Sequence, residues 1–597
     1  MQKGRCVMGM NLKFFDALKF LVRKPHTVRV PYEKKEPAKR YRGIHVNDWE
    51  KCIGCGNCAK ICTCQAIEMV EIPTLTPKMG ATNLRPQVDY GRCSFCGQCV
   101  DVCPTGSLKL STEYEIISSD INDFKFIPNL NRDSGPGTGW ESDIESSLLD
   151  FKRVEMPERD PKERKKDFDW VLKGFSEEEA VFEAVRCLGC ALCVQGCPTG
   201  MYIPEYINAI FNKDYEKSVE WMFINNPLPE VCGTICTHRC EDACVYHNRG
   251  QAVQIRYLKG FAAGKVDDYE KVVGISKKKA DKKVALIGAG PASLSCAFYL
   301  RREGVDAVIY EAQKVAGGML KLGIPRYRLP DSILSKEIDF IKKQGVEIKF
   351  GIRVGVDVTF EQLLKMYDAV FIGTGYHVGS RMGIPGDEGE GVFDAATLLR
   401  DVNLGKEVKI GKKVLVIGGG DVAMDATRTA LRLGAEEVIL SYRRRYVDMP
   451  ASDEEKHEAE AEGVKFMTQT LPVEIVRDKN GRITKVKYVE TEMVHEEGAR
   501  RPKPVPKMDN VMEWEIDTVI MAIGQKPDWS FLPDEWKNKI KFDRRMNHII
   551  VNDDMMTDVE GVFAGGDIVN PRADAISAIA DGRKAALGII KYLEIRK

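Results

Sequence analysis

Residues 283–293 read KVALIGAGPAS, and residues 414–425 read VLVIGGGDVAMD. Each is a short apolar run that meets a glycine-rich turn and passes into a helical pattern, which predicts a strand, a tight turn and a helix in that order. In the first stretch Gly288 makes the turn, and Gly290 lets a pyrophosphate approach the helix N-terminus. Ser293 is small enough for the helix to pack on the strand. Gly418, Gly420 and Ala423 fill the same roles in the second. A lone glycine turn is weak evidence, but Glu311 ends the next strand 23 residues after Gly288, where a carboxylate holds ribose hydroxyls. The matching place in the second unit, 23 residues after Gly418, is Ser441, followed by Arg443 and Arg444. Serine removes the repulsion that a carboxylate exerts on a 2′-phosphate, and two guanidiniums are suited to bind one, so the second unit is expected to take NADP(H). The competing reading of 443–445 is a solvated basic turn.

Outward from these units, strand–turn–helix patterns run from Lys283 to the end, predicting α/β structure with parallel sheets. A Lys-rich bridge lies just before, at 277–283. Further upstream the composition changes: eighteen of nineteen cysteines precede residue 245, and only Cys296 follows. Cys52, Cys55, Cys58 and Cys62 have the spacing C-x-x-C-x-x-C-x-x-x-C. Cys93, Cys96, Cys99 and Cys103 repeat it, as do Cys187, Cys190, Cys193 and Cys197. A tight loop with three thiolates caps three irons of a cubane, while the fourth cysteine points to a neighbouring cluster. Zinc sites usually need only two C-x-x-C pairs or Cys/His mixtures, so iron–sulfur clusters are the stronger reading.

Pairing the first two motifs in the two-cluster manner predicts one cubane on Cys52, Cys55, Cys58 and Cys103, and another on Cys93, Cys96, Cys99 and Cys62. Thr63 stands where a proline usually follows the last cysteine, and Cys64 beyond it competes as a ligand. Cys232, Cys236, Cys240 and Cys244 follow the third motif at intervals of four, completing eight thiolates for two more cubanes. Sixteen cysteines in four groups give about four [4Fe–4S] clusters. Cys296 falls on the apolar face of a helix and is expected to be core packing.

The stretches RCLGCALCVQGCPTGMYIPEYI and VCGTICTHRCEDAC, continuing to Lys597, resemble the small chain of glutamate synthase. They also resemble the large subunit of the NADH-dependent ferredoxin:NADP oxidoreductase and the N-terminal part of dihydropyrimidine dehydrogenase. That resemblance implies one cluster on Cys187, Cys190, Cys193 and Cys244 and another on Cys197, Cys236 and Cys240. Some relatives supply the last ligand from a Gln or Glu at a place that looks like Lys259 here. An ammonium cannot ligate iron, which leaves Cys232 as the expected fourth ligand.

The paired glycine turns, with AIGQKP at 522–527 and VFAGGD at 562–567, resemble the two-dinucleotide flavoprotein reductases. GGML at 317–320 and GIPRYRLP at 323–330 resemble the glutamate synthase small chain in particular. By that resemblance the first site holds FAD and the inserted second domain the nicotinamide. Gly318 then lines the flavin, Gly566 and Asp567 bind the FAD ribityl or phosphate region, and Thr374 and Gly375 mark the crossing between domains. Hydride exchange between a nicotinamide and FAD requires positioning rather than acid–base help, so no catalytic side chain is expected. The thioredoxin-reductase dithiol is absent, since no cysteine follows Cys296.

TVRVPYEKKEP at 27–37, RCSFCGQCVDVCPTG at 92–106 and STEYEI at 111–116 resemble the two-cluster ferredoxin-type subunits of complex I and membrane-related hydrogenases. The expected fold is therefore an α/β flavoprotein with two Rossmann-like domains, preceded by a helical [4Fe–4S] domain and an α+β two-cluster ferredoxin domain. Its expected parts are an amphipathic arm (1–45, with Phe14, Phe15, Leu18 and Leu21 at helical spacing), a two-cluster domain (46–115), a linker (116–170), and a helical two-cluster domain (171–275). An FAD domain (281–385 and 520–597) and an NAD(P) domain (386–519) complete it.

The function implied is an NADPH-linked FAD and iron–sulfur oxidoreductase subunit that exchanges electrons with a partner of the hydrogenase, formate dehydrogenase or synthase large-chain type. The rivals are a self-contained NAD(P)H:ferredoxin oxidoreductase and a glutamate synthase small chain. Lys plus Arg equals Asp plus Glu at 88 each, so no net field favours nucleic acid or an anionic membrane. No run approaches the roughly 18 apolar residues of a membrane span, and the first ten residues lack a signal-peptide layout, so a cytoplasmic, reducing location is expected.

Overall fold

A computed structural model of the chain describes residues 20–29, 32–78, 80–130, 138–495 and 502–594. Two compact units emerge, one of Met1–Thr76 with Asn83–Leu148 and one of Pro77–Thr82 with Leu149–Lys597. Phe14, Phe15 and Leu18 of the expected arm, and Cys6, lie outside the described residues, while Leu21 is exposed. Among the described residues no helix is long and apolar enough to cross a membrane.

In the first unit, His45–Asn47 pairs antiparallel with Leu108–Leu110. Ile67–Glu71, Leu84–Asp89 and Lys125–Phe126 form a second antiparallel sheet. Each cysteine motif makes a loop, a one-turn helix (Asn57–Lys60 or Gln98–Asp101) and a last cysteine, with a left-handed glycine at the helix start, Gly56 or Gly97. Ile44, Val88, Val100, Leu110 and Phe126 fill the space between sheets and loops. The stretch expected as a linker from 116 contributes to this unit. Lys125–Phe126 extends the sheet, and Trp140 donates from Nε1 to Asp101 at 2.9 Å beneath the second motif.

The second unit opens with short helices. Glu177–Val185 starts at a capping box in which Ser176 and Glu179 satisfy each other's backbone N–H groups. Pro229–Ile235 and Ile255–Lys265 cross at Gly233 and Gly260, where a Cβ on Gly233 would stand 2.2 Å from the Gly260 Cα. That closeness brings Cys232 on one helix, and Cys236 at that helix's C-cap, near Lys259 on the other.

Two parallel five-stranded sheets follow. The first orders Val562–Ala564, Ala369–Ile372, Lys283–Ile287, Asp306–Glu311 and Glu347–Phe350. The second orders Val392–Asp394, Thr518–Ala522, Lys413–Gly418, Glu437–Tyr442 and Lys465–Thr468. Val284–Ile287 and Val414–Gly418 are buried throughout, as strands covered by helices on both faces must be. The chain crosses between the sheets on a two-stranded ribbon, Val378–Gly379 against Gln525–Lys526. Thr518–Ala522 therefore belongs with the second sheet, and the return to the first begins after it.

One element departs from the parallel α/β expectation. Thr470–Arg477, Ile483–Val494 and Lys503–Trp514 form a three-stranded antiparallel sheet attached to the second domain. Tyr488 and Trp514 stack on it with ring centroids 3.6 Å apart.

Candidate cofactor and cluster sites

Each glycine turn leads into a twelve-residue helix, Pro291–Arg302 or Asp421–Arg432. In both, a glycine N-cap offers no side chain to the free N–H groups. The N–H groups left free at such a helix start attract an anion. A Cβ on Gly290 would meet only the Gly373 carbonyl oxygen at 3.9 Å, and one on Gly420 only Pro450 Cγ at 3.9 Å. The space these glycines leave open belongs to one continuous cavity of about 1350 Å³ that both turns line. Gly288 and Gly418 serve the backbone instead. At φ +89° and +150°, a Cβ there would strike the Gly373 or the Ala522 carbonyl oxygen at 2.9 and 2.3 Å.

Glu311 reaches the same cavity, where its carboxylate accepts from the Ala289 and Gln313 N–H groups, each at 2.7 Å. A carboxylate has about four acceptor sites, so two remain for ribose hydroxyls. Gly318, Thr374, Gly375, Gly566 and Asp567 also line it. The buried Thr374 hydroxyl has no partner among the described residues, and burial pushes the Asp567 carboxyl up to about 6. An orphaned hydroxyl and an open glycine cradle on one wall fit a flavin dinucleotide. Ser293 and Ala423 are buried behind the wall. The approach there is so close that a Cβ on Gly373 would lie 2.3 Å from Ser293 Oγ.

On the second domain Ser441, Arg443 and Arg444 line the cavity. Ser441 Oγ is 2.8 Å from Thr470 Oγ1, Arg443 is exposed, and Arg444 Nε donates to the Pro502 carbonyl at 3.3 Å. Arg445 turns away, held by both carboxylate oxygens of Asp448 at 2.8 and 3.0 Å. The basic turn is thus split: two guanidiniums border the cavity and one is consumed locally.

A brace between the domains has no signature in the sequence. Arg328 Nη1 donates to both Asp425 carboxylate oxygens at 2.8 Å, and its Nη2 lies 2.7 Å from Glu455. Arg328 and Asp425 both stood in quoted motifs, GIPRYRLP and VLVIGGGDVAMD, yet nothing in either string pairs them. Met508 of the antiparallel sheet also reaches the cavity.

The cysteines of the first unit lie near one another. Cys58 feels the charges of Cys55, Cys103, Cys99 and Cys52, and Cys99 those of Cys93, Cys96 and Cys62. Cys62, Cys93, Cys96 and Cys99 line a small cavity together with His45. Cys64 borders it too but is exposed, its thiol 3.6 Å from Ser94 Oγ. In the second unit Cys193 stands with Cys187, Cys190 and Cys244, and Cys240 with Cys236 and Cys197. Burial, reinforced by neighbouring thiolates, pushes the Cys58, Cys99, Cys193 and Cys240 thiols well up. Sets of buried thiolates that repel one another become stable when a cationic cluster neutralises them, which is the chemistry iron supplies.

The last group is less regular. Cys232 is fully buried near Lys259 and Cys236, with its thiol bonded to the Asn226 side chain. Burial works against the Lys259 ammonium, but Cys236, Cys232, Cys240 and Cys197 outweigh it and raise its pKa. Cys296 is buried in the core, as expected.

Residues 282–582 match the pyridine nucleotide-disulphide oxidoreductase family. Residues 164–271 match the 4Fe-4S cluster domain II of dihydropyrimidine dehydrogenase, and 51–107 a 4Fe-4S dicluster domain. Among curated proteins, the NADPH-Fe(3+) oxidoreductase subunit beta of Geobacter sulfurreducens is 39% identical over 68% of this chain and 64% of its own length. The NADP(+)-dependent formate dehydrogenase subunit beta of Moorella thermoacetica is 42% identical over 68% of this chain and 60% of its own. The glutamate synthase [NADPH] small chain of Escherichia coli is 36% identical over 75% of this chain and 98% of its own. The match thus spans under two thirds of the first two relatives.

Proposed function

This chain belongs to the pyridine nucleotide-disulphide oxidoreductase family, and we propose that it is an NADPH-linked, FAD-dependent electron-transfer subunit carrying four [4Fe–4S] clusters. Bound FAD supplies the conversion between a two-electron hydride and single-electron carriers. The observation that supports this reading best is the extent of the cavity. One wall carries both dinucleotide turns, and another is formed by Ile235, Cys236 and Thr237 of the helical cluster region. A flavin held there lies against the protein shell of a cluster.

The chain's own residues bind and orient. The Gly290 and Gly420 helix starts hold pyrophosphates, Glu311 accepts from the FAD ribose, and Arg443 and Arg444 hold the NADPH 2′-phosphate. Arg328, through Asp425 and Glu455, keeps the two domains in register. The proposed cluster ligands are Cys52, Cys55, Cys58 and Cys103; Cys62, Cys93, Cys96 and Cys99; Cys187, Cys190, Cys193 and Cys244; and Cys197, Cys236 and Cys240 with Cys232.

The proposed electron partner is another redox subunit, because relatives of this chain are named as beta or small subunits of an NADPH-Fe(3+) oxidoreductase, a formate dehydrogenase and a glutamate synthase. The test is Cys240→Ser in the full chain under anaerobic rapid mixing with NADPH. Flavin bleaching is expected at the wild-type rate, with electron delivery to co-purified partner or to ferredoxin reduced at least tenfold. Delivery at the wild-type rate would remove the clusters from the route.

A further inference from the structure

His45 is buried to 1% exposure on the strand that carries it past the second cysteine motif. Its backbone N–H donates to the Tyr90 hydroxyl at 2.9 Å, Nδ1 lies 3.2 Å from the same oxygen, and Nε2 lies 3.3 Å from Cys99 Sγ. If Cys99 ligates iron its sulfur carries no hydrogen, so the 3.3 Å contact is a hydrogen bond only with Nε2 as donor. Nδ1 of the neutral ring then accepts from the Tyr90 hydroxyl, whose oxygen already accepts from His45 N–H. All three nitrogens of the residue are used by one arrangement, and the ring is further held edge-on to Tyr90 with centroids 5.6 Å apart.

The corresponding cysteine of the first motif is served differently. Cys58 Sγ faces the Met69 thioether at 3.9 Å, an atom with no hydrogen to give. Other donors reach sulfurs in both groups: the Ala66 and Phe95 N–H groups point at Cys62 and Cys93, and the Ser107 and Thr105 hydroxyls lie near Cys103. Cys99 also accepts from the Val100 backbone N–H, and the imidazole is the side-chain donor that this third cysteine has where Cys58 faces a thioether.

We propose that His45 is a positioning residue that donates an N–H···S hydrogen bond to Cys99 and thereby raises the reduction potential of the cluster held by Cys62, Cys93, Cys96 and Cys99. A donor to a ligand sulfur withdraws electron density and favours the reduced, more negative state of the cluster. Tyr90 fixes the tautomer that makes the donation possible. The proposal rests on the cluster assignment above.

The test uses the full iron-loaded chain in redox titrations followed by EPR, with iron analysis of each sample. In His45→Leu, iron content should stay at the wild-type level, and one cluster component should become harder to reduce by about tenfold, or about 59 mV for a one-electron couple. His45→Gln, whose amide N–H reaches a similar point, should recover most of that shift. In wild type labelled with ¹⁵N-histidine, the reduced cluster should show a weak nitrogen coupling that His45→Gln abolishes. An unmoved potential in His45→Leu with full iron overturns the role of His45. So does a labelled wild type with no coupling, or with a coupling large enough to mean direct ligation. A wild-type chain with about 12 irons instead fails the cluster assignment.

Discussion

At Gly290 and Gly420 the backbone is in an extended conformation that any residue adopts (φ −78° and −95°), and a Cβ would touch almost nothing of the protein. Alanine at either site should therefore leave the thermal stability of the cofactor-free chain within about 0.5 kcal/mol of wild type. Binding should suffer instead. Gly290→Ala is expected to purify with little FAD, and Gly420→Ala to keep FAD but raise the KM for NADPH at least tenfold. A normal FAD content in Gly290→Ala would mean that the pyrophosphate does not approach that turn. Arg443 and Arg444 make the complementary case. With each charge-assisted contact contributing about 1.5–3 kcal/mol, the double alanine variant should weaken NADPH by tenfold or more and leave NADH kinetics nearly unchanged. Equal losses with both nucleotides would move the 2′-phosphate elsewhere. These residues were readable in the string because the turn-to-strand-end spacing is local. His45 was not: it precedes Cys52 by seven positions without a motif, and only the pairing of His45 with Leu110 carries it to Cys99.

The helix crossing at Gly233 and Gly260 is the element on which the last cluster group depends. Gly233→Ala puts a Cβ against the Gly260 backbone, where no side chain can rotate away, so the helices bearing Cys236 and Lys259 must separate. The expected result is a loss of about four irons, measured by iron and sulfide analysis, with FAD retained. Retention of all iron would show that the crossing tolerates displacement without cost to the cysteines. Elements far from local motifs were harder to read. The antiparallel sheet of Thr470–Arg477, Ile483–Val494 and Lys503–Trp514 merges with the parallel α/β pattern in the sequence, because strands next to glycine-turn units look alike until their partners are known. The stretch from 116 reads as a linker because its described elements are short, a single 3-10 turn at Ile121–Phe124 and a two-residue strand, too little to leave a period. The two five-stranded sheets were legible for the opposite reason: their strands are short, apolar and punctuated by glycine at each turn.

Across the whole molecule, the proposed route runs from a nicotinamide through FAD to several clusters, so reducing equivalents from NADPH should reach the iron. The direct measurement is freeze-quench EPR with optical detection after anaerobic mixing of the full iron-loaded chain with excess NADPH. The flavin should bleach first and reduced [4Fe–4S] signals should grow afterwards, in a protein that holds about 16 irons. NADH should drive the same sequence more slowly. Flavin bleaching that goes to completion while every cluster stays oxidised, although dithionite reduces them, would mean that NADPH electrons do not reach the iron.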